Sequence, residues 1–166
     1  MVDFTQLNSE FLEKIKLVIS KMETVGYSIQ PQSGFRSLLE QGKLWRQGRP
    51  LSVIKEKIRE LRAAQCDVLA DAIEDAGPQM KNVICTHTIP GYSWHNWGQA
   101  LDVFVNNDPS GCDELYGVLA DKAVALGLTS GFNFKRFKDP GHLQLSALEV
   151  PKIYSLKEVN AYFSHL

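Results

Sequence analysis

The sequence is short of several features that would settle its class at once. It has no long apolar run: the longest, Ala123 to Leu128 counting Gly127, falls far short of the roughly 20 residues a membrane helix needs. No membrane span is expected. Charge of one sign is also lacking, since 18 basic and 19 acidic side chains leave a formal net charge of -1. That removes the global field that draws a protein onto nucleic acid, so a nucleic-acid partner is not expected. Cysteine is scarce, odd in number and widely spaced: Cys66, Cys85 and Cys112 form neither a disulfide framework nor a CxxC zinc pair. Glycine and proline, 12 and 7 among 166 residues, are too few for a collagen-like or low-complexity chain. The N-terminus has Asp3 where a secretory signal would carry Lys or Arg, and no apolar segment follows, so synthesis and initial residence in the cytoplasm are expected.

What remains is an ordinary globular composition, 44% hydrophobic and 22% charged, organised by periodicity. Phe11, Leu12, Ile15, Val18, Ile19, Met22 and Val25 recur at three- and four-residue steps and predict a core helix, capped by Asn8 or Ser9 and ended by Gly26. Tyr27 to Ile29 reads as a short strand, Pro31 to Gly34 as a turn, and Ser37 to Gln47 as a second helix closed by Gly48. Ile54, Ile58, Leu61, Val68, Leu69, Ala72 and Ile73 predict one long helix or a helical hairpin that stops at Gly77-Pro78. Its charge is lopsided: Arg36 to Arg62 carries eight bases against three acids, and Ala63 to Met80 four acids and no base. A solvated helix face is the preferred reading, with a docking patch for an anionic surface second. Asn82 to His87 and Ala100 to Val105 read as strands, Asp113 to Leu126 as a helix, and His142 to Leu145 as a last strand. Ser155 to Glu158 forms a capping box for a C-terminal helix. With no repeat or long linker, the expectation is a single α+β domain over residues 1-166.

Two of the four histidines stand in suggestive company. In Ser93-Trp94-His95-Asn96-Trp97-Gly98-Gln99-Ala100-Leu101-Asp102 an imidazole precedes a strand that contains a carboxylate, and Asp139-Pro140-Gly141-His142 sets another carboxylate three residues before a second imidazole. Zinc takes nitrogen and anionic oxygen, and catalytic zinc keeps three protein ligands and one open position. His95, Asp102 and His142 would supply two nitrogens and one oxygen, with Asp139 as a general base. On spacing alone these remain ordinary residues as easily as ligands, and two His with one carboxylate also suit a non-haem iron oxygenase. The sequence has no HExxH or HxxEH helix, no complete nucleophile elbow at Gly91 to His95, and no phosphate loop at Gly42-Lys43.

Ser93-x-His95-x-x-Gly98-x-Ala100-x-Asp102 with Asp139-x-x-His142, preceded by Ser33-Gly34-Phe35-Arg36-Ser37 and Gln47-Gly48-Arg49, resembles the zinc D,D-carboxypeptidase and L-alanyl-D-glutamate endopeptidase family. The resemblance runs in order from Ser33 to Leu145. It implies a small fold with a central antiparallel sheet flanked by helices, of the hedgehog and D-Ala-D-Ala peptidase kind, acting on peptidoglycan stem peptides. It further implies Zn2+ held by His95, Asp102 and His142, Asp139 as the base, and Arg36 on the substrate carbonyl or developing oxyanion. Ser93 and Gln144 would flank the ligands. L-alanyl-D-glutamate cleavage by a monomeric, endolysin-like enzyme of phage or prophage, released onto the cell wall at lysis, is the leading expectation. D-Ala-D-Ala carboxypeptidase activity and a catalytically silent wall-binding module are the alternatives. Two departures stand out: a helical insertion at about 50-80, next to the arginine-bearing segment, and Phe134 where relatives often carry Trp.

Overall fold

Asn8 accepts a hydrogen bond from the backbone N–H of Phe11 at 3.1 Å and so starts α1, Ser9–Glu23, whose Phe11, Ile15, Val18 and Met22 are fully buried. The computed structural model describes residues 2–79 and 82–165. Along the chain follow β1 (Ile29–Ser33), α2 (Leu38–Arg46), α3 (Leu51–Ala63), α4 (Asp67–Glu74), β2 (Ala100–Val105), α5 (Asp113–Ala125), β3 (Thr129–Ser130), β4 (His142–Gln144) and α6 (Leu156–Phe163). Among the described residues no helix is long and apolar enough to cross a membrane. The chain divides into two compact units, residues 2–35 with 97–147 and residues 36–96 with 148–165.

The first unit holds the sheet, ordered β1-β2-β4-β3 and antiparallel throughout, which is the α+β arrangement expected from the sequence. Strand alternation sorts β2: Leu101, Val103 and Val105 face a core shared with α1 and α5, including Tyr116, Leu119 and Leu143, while Ala100 and Asp102 face the other way. The expected turn at Pro31 to Gly34 is instead largely strand. Because β1 lies at the edge of the sheet, Pro31 loses no ladder bond that a central strand would need, and the register slips between Pro31 and Ser33. α5 closes at Gly127, whose φ of 75° suits a residue without Cβ.

The second unit is helical. The hairpin reading of residues 54 to 73 holds: α3 and α4 break apart at Gln65, with φ 60°, and pack through Ile54, Leu61, Leu69 and Ile73. Gly42 lets α2 close on α4, since a Cβ there would stand 2.0 Å from the carbonyl oxygen of Ala72. The charge imbalance is partly resolved within the unit, because Arg62 binds Asp67, Asp71 and Glu74 at 3.0, 2.7 and 2.7 Å. The predicted capping box forms, Ser155 with Glu158 starting α6, and a second that the sequence reading did not name, Ser37 with Glu40, starts α2. The end of the 50-80 stretch at Met80 lies outside the described residues.

Asn82 to His87 is not a strand. Val83 and Ile84 are 65% and 49% exposed, so no sheet covers them, and the segment's carbonyls bond side chains rather than a ladder. Arg49 donates to the Thr86 carbonyl at 2.8 Å and Gln41 to that of Thr88 at 2.7 Å. Side chains from α2 and its C-terminal turn replace the neighbouring strand that the apolar pattern suggested.

Candidate active site

Antiparallel pairing of β2 with β4 puts Asp102 directly opposite His142 and Ala100 directly opposite Gln144. Residues two apart on a strand share a face, so these four side chains occupy the face away from the core, and Ala100 contributes only a methyl group beside the Gln144 amide. His142 Nδ1 lies 2.9 Å from Asp102 Oδ1, and its Nε2 lies 2.9 Å from Gln144 Oε1. The Gln144 amide nitrogen donates to the Ser146 carbonyl at 2.6 Å. Sequence reasoning placed Gln144 beside the candidate ligands; the structure shows it bonded to His142.

His95 comes from a short 3-10 turn, Trp94–Trp97, that leads into β2 through Gly98. It is buried, as are Trp94 and Asn96. One donor atom each from His95, Asp102 and His142 lies within 4.8 Å of the others. Bonds of about 2.1 Å to zinc give a tetrahedral edge of about 3.4 Å, within reach of small side-chain rotations from this grouping. Two imidazoles and one carboxylate, with no fourth ligand in the group among the described residues, match the donor set of a catalytic rather than a structural zinc site. Burial opposes a charged imidazole at His142, yet the hydrogen bond and charge of Asp102, the Gln144 bond and the charge of Asp139 outweigh it. The metal-free side chain is therefore held above the ordinary histidine value.

Asp139 is exposed and stands at the start of the turn that delivers His142, whose N–H bonds the Asp139 carbonyl at 3.0 Å. The Asp139 N–H in turn bonds the carbonyl of Gly131 at 3.0 Å. A Cβ on Gly131 would sit 2.3 Å from the Asp139 carbonyl oxygen and 3.0 Å from His142 Cβ, so only glycine allows this approach. Phe134, the departure noted in the sequence, has its ring 6.0 Å from the His142 ring.

Arg36 belongs to the helical unit. Its guanidinium donates to Gln41 Oε1 at 2.9 Å, and the fully buried Gln41 donates onward to Thr88. Its backbone N–H bonds the His95 carbonyl at 3.1 Å. Asn96 completes the arrangement: its amide donates to the carbonyls of Arg36 at 2.7 Å and Ser37 at 3.2 Å, and its oxygen accepts from Gly91 N–H at 2.9 Å. The segment with Arg36 and the turn with His95 are thus tied together through a side chain that the sequence reading passed over. Nothing in the spacing of Gln41 or Asn96 marks them; their burial is the signal. In Gln47-Gly48-Arg49 the Arg49 guanidinium stacks on Trp45 at 4.3 Å, and Gly48 lies so close to Val83 that a Cβ would stand 2.4 Å from its carbonyl carbon. His87 and His165 are exposed and stand outside the metal-ligand group.

Solved structures with a similar chain path include the LD-carboxypeptidase LdcB, at 21% identity over 99% of this chain and 75% of that one, TM-score 0.50. The vancomycin-resistance D,D-pentapeptidase VanY of a VanB-type cassette, in complex with Zn(II), is 18% identical over 92% and 83%, TM-score 0.48. The L-Ala D-Glu endopeptidase ChiX of Serratia marcescens is 16% identical over 86% and 83%, TM-score 0.45. At such identities the LdcB likeness speaks to the fold. No curated protein matches the chain. A family model described as VanY, D-alanyl-D-alanine carboxypeptidase, matches residues 5–136, which takes in Arg36, His95 and Asp102 and stops short of Asp139 and His142. That match spans most of the sequence, and the chain belongs to the VanY D-alanyl-D-alanine carboxypeptidase family, a family of zinc peptidoglycan peptidases.

Proposed function

We propose that this enzyme hydrolyses the L-alanyl-D-glutamate bond of peptidoglycan stem peptides, with zinc held by His95, Asp102 and His142. The observation that carries the reading is the grouping of those three donors within 4.8 Å, with Asp139 three residues from one of them. Zinc in that position would supply a Lewis acid that polarises a carbonyl and lowers the pKa of bound water to about 7. Asp139 takes the proton from the attacking water and returns it to the leaving amine, a role that suits an exposed carboxylate. Arg36, whose guanidinium Gln41 holds at 2.9 Å, stabilises negative charge developing on the substrate oxygen. Gln41 lowers the entropy lost when that long side chain is ordered.

The choice of bond rests on the arrangement of Ser93-x-His95-x-x-Gly98-x-Ala100-x-Asp102 and Asp139-Pro140-Gly141-His142, which resembles the endolysin-type endopeptidases. The family description favours the second reading, removal of a terminal D-alanine. Digestion of purified peptidoglycan with and without chelator and added zinc, followed by mass analysis of the fragments, separates them. New N-terminal D-glutamyl ends that vanish with chelator are the expected result. Loss of single C-terminal D-alanine residues would replace the endopeptidase reading with the carboxypeptidase one. Zinc-loaded protein that cleaves no wall preparation would leave a binding module.

A further inference from the structure

Gln144 is buried, faces the metal-ligand group from β4, and has both ends of its amide engaged. The direction of these bonds can be worked out from the acceptor at one end. A backbone carbonyl only accepts, so the edge of Gln144 that lies 2.6 Å from the Ser146 oxygen must be the NH2 group. The other edge is then the amide oxygen, which also only accepts, and it lies 2.9 Å from His142 Nε2. A bond there requires a hydrogen on Nε2. In the metal-free protein the Asp102 carboxylate, also an acceptor only, faces Nδ1 at 2.9 Å, so that nitrogen carries a hydrogen as well; when a metal takes its place, Nε2 keeps its hydrogen toward Gln144 and the lone pair lies on Nδ1.

The geometry points to Gln144 as a positioning residue that selects the Nε2–H form of His142 and aims Nδ1 at the metal. The inference rests on the zinc reading above and deepens it. A chain of three groups, the Ser146 carbonyl, the Gln144 amide and the His142 ring, passes the orientation of the backbone to a ligand. Ala100, opposite Gln144 in the ladder, leaves space for the amide where a larger residue would push it aside. Partners of this kind fix ring orientation and ligand basicity, and their loss typically costs about 10- to 100-fold in metal affinity or activity.

Two measurements test this on the full-length protein. The first is long-range 1H–15N correlation of the histidine rings in the wild-type protein loaded with zinc. The expected result is a His142 ring protonated at Nε2, with that proton in slow exchange and Nδ1 bound to metal. A ring bound through Nε2 overturns the proposal without any variant. The second is zinc affinity by chelator competition for the wild type, Gln144→Ala and His142→Ala. Gln144→Ala should weaken zinc binding about 10- to 100-fold and lose the slowly exchanging proton. A folded Gln144→Ala protein with wild-type affinity overturns the positioning role while the zinc reading stands. Wild-type affinity in His142→Ala, or no zinc uptake by the wild type, removes the zinc reading and this inference with it.

Discussion

The two units hold their functional side chains by different means. In the sheet unit, backbone register does the placing: Asp102 and His142 oppose each other because β2 and β4 pair there, and the same ladder sets Ala100 against Gln144. In the helical unit no ladder is available. Buried side-chain amides take its place, with Gln41 holding the Arg36 guanidinium and Thr88, and Asn96 joining Arg36, Ser37 and Gly91. A ladder spreads its geometry over many interchangeable backbone bonds, whereas each amide is a single point of failure. The β2–β4 strand pair should therefore tolerate change around it better than the arginine segment does.

The largest effect should come from chemistry rather than from either scaffold. Asp139→Asn should leave zinc content unchanged and lower turnover about 100-fold or more, the scale of losing a general base. Full activity in peptidoglycan digestion would remove Asp139 from that role. Next comes the helical unit's weak point. Asn96→Ala removes the buried bond to the Gly91 N–H and the half-buried bonds to the Arg36 and Ser37 carbonyls, and should cost about 1–3 kcal/mol in chemical denaturation. An unchanged midpoint would contradict the contrast between ladder and amide.

A smaller, pH-linked effect belongs to the sheet unit. Metal-free His142 has its pKa raised above that of the unfolded chain, so its pairing with Asp102 stabilises the fold fully below the unfolded value of about 6.5. That contribution fades as pH rises through the raised folded value. Thermal unfolding of chelator-treated protein should therefore show a pH-dependent loss of stability over that window, absent in His142→Ala. The smallest effect is expected on the surface of the helical unit, where Arg62→Ala removes three exposed ion pairs and should not move the unfolding transition measurably.

The helices were legible because burial imposes a period: Phe11, Ile15, Val18 and Met22 announce α1, and Ser155 with Glu158 announces α6. The segment Asn82 to His87 misled for the same reason, since Val83 and Ile84 carry strand propensity but find no sheet to cover them. Pro31 read as a turn because its exemption from ladder bonding depends on β1 being an edge, which is a property of the whole sheet. Among the residues proposed for the site, His95, Asp102, Asp139 and His142 could be named because metal chemistry restricts which side chains can serve. Gln41 and Asn96 could not, because an amide is equally at home in water.

The sequence by itself determined the donor types of the site and the order in which the chain supplies them, since local propensity and ligand chemistry are both written residue by residue. Only the tertiary structure decided that Asp102 faces His142, that Gln144 reaches the second imidazole, and that Asn96 ties Arg36 to the turn of His95. The first and the last join residues 40 and 60 positions apart, and the second depends on the strand that carries both residues. Strand register and buried hydrogen bonds set them, and neither exists until the chain has closed on itself.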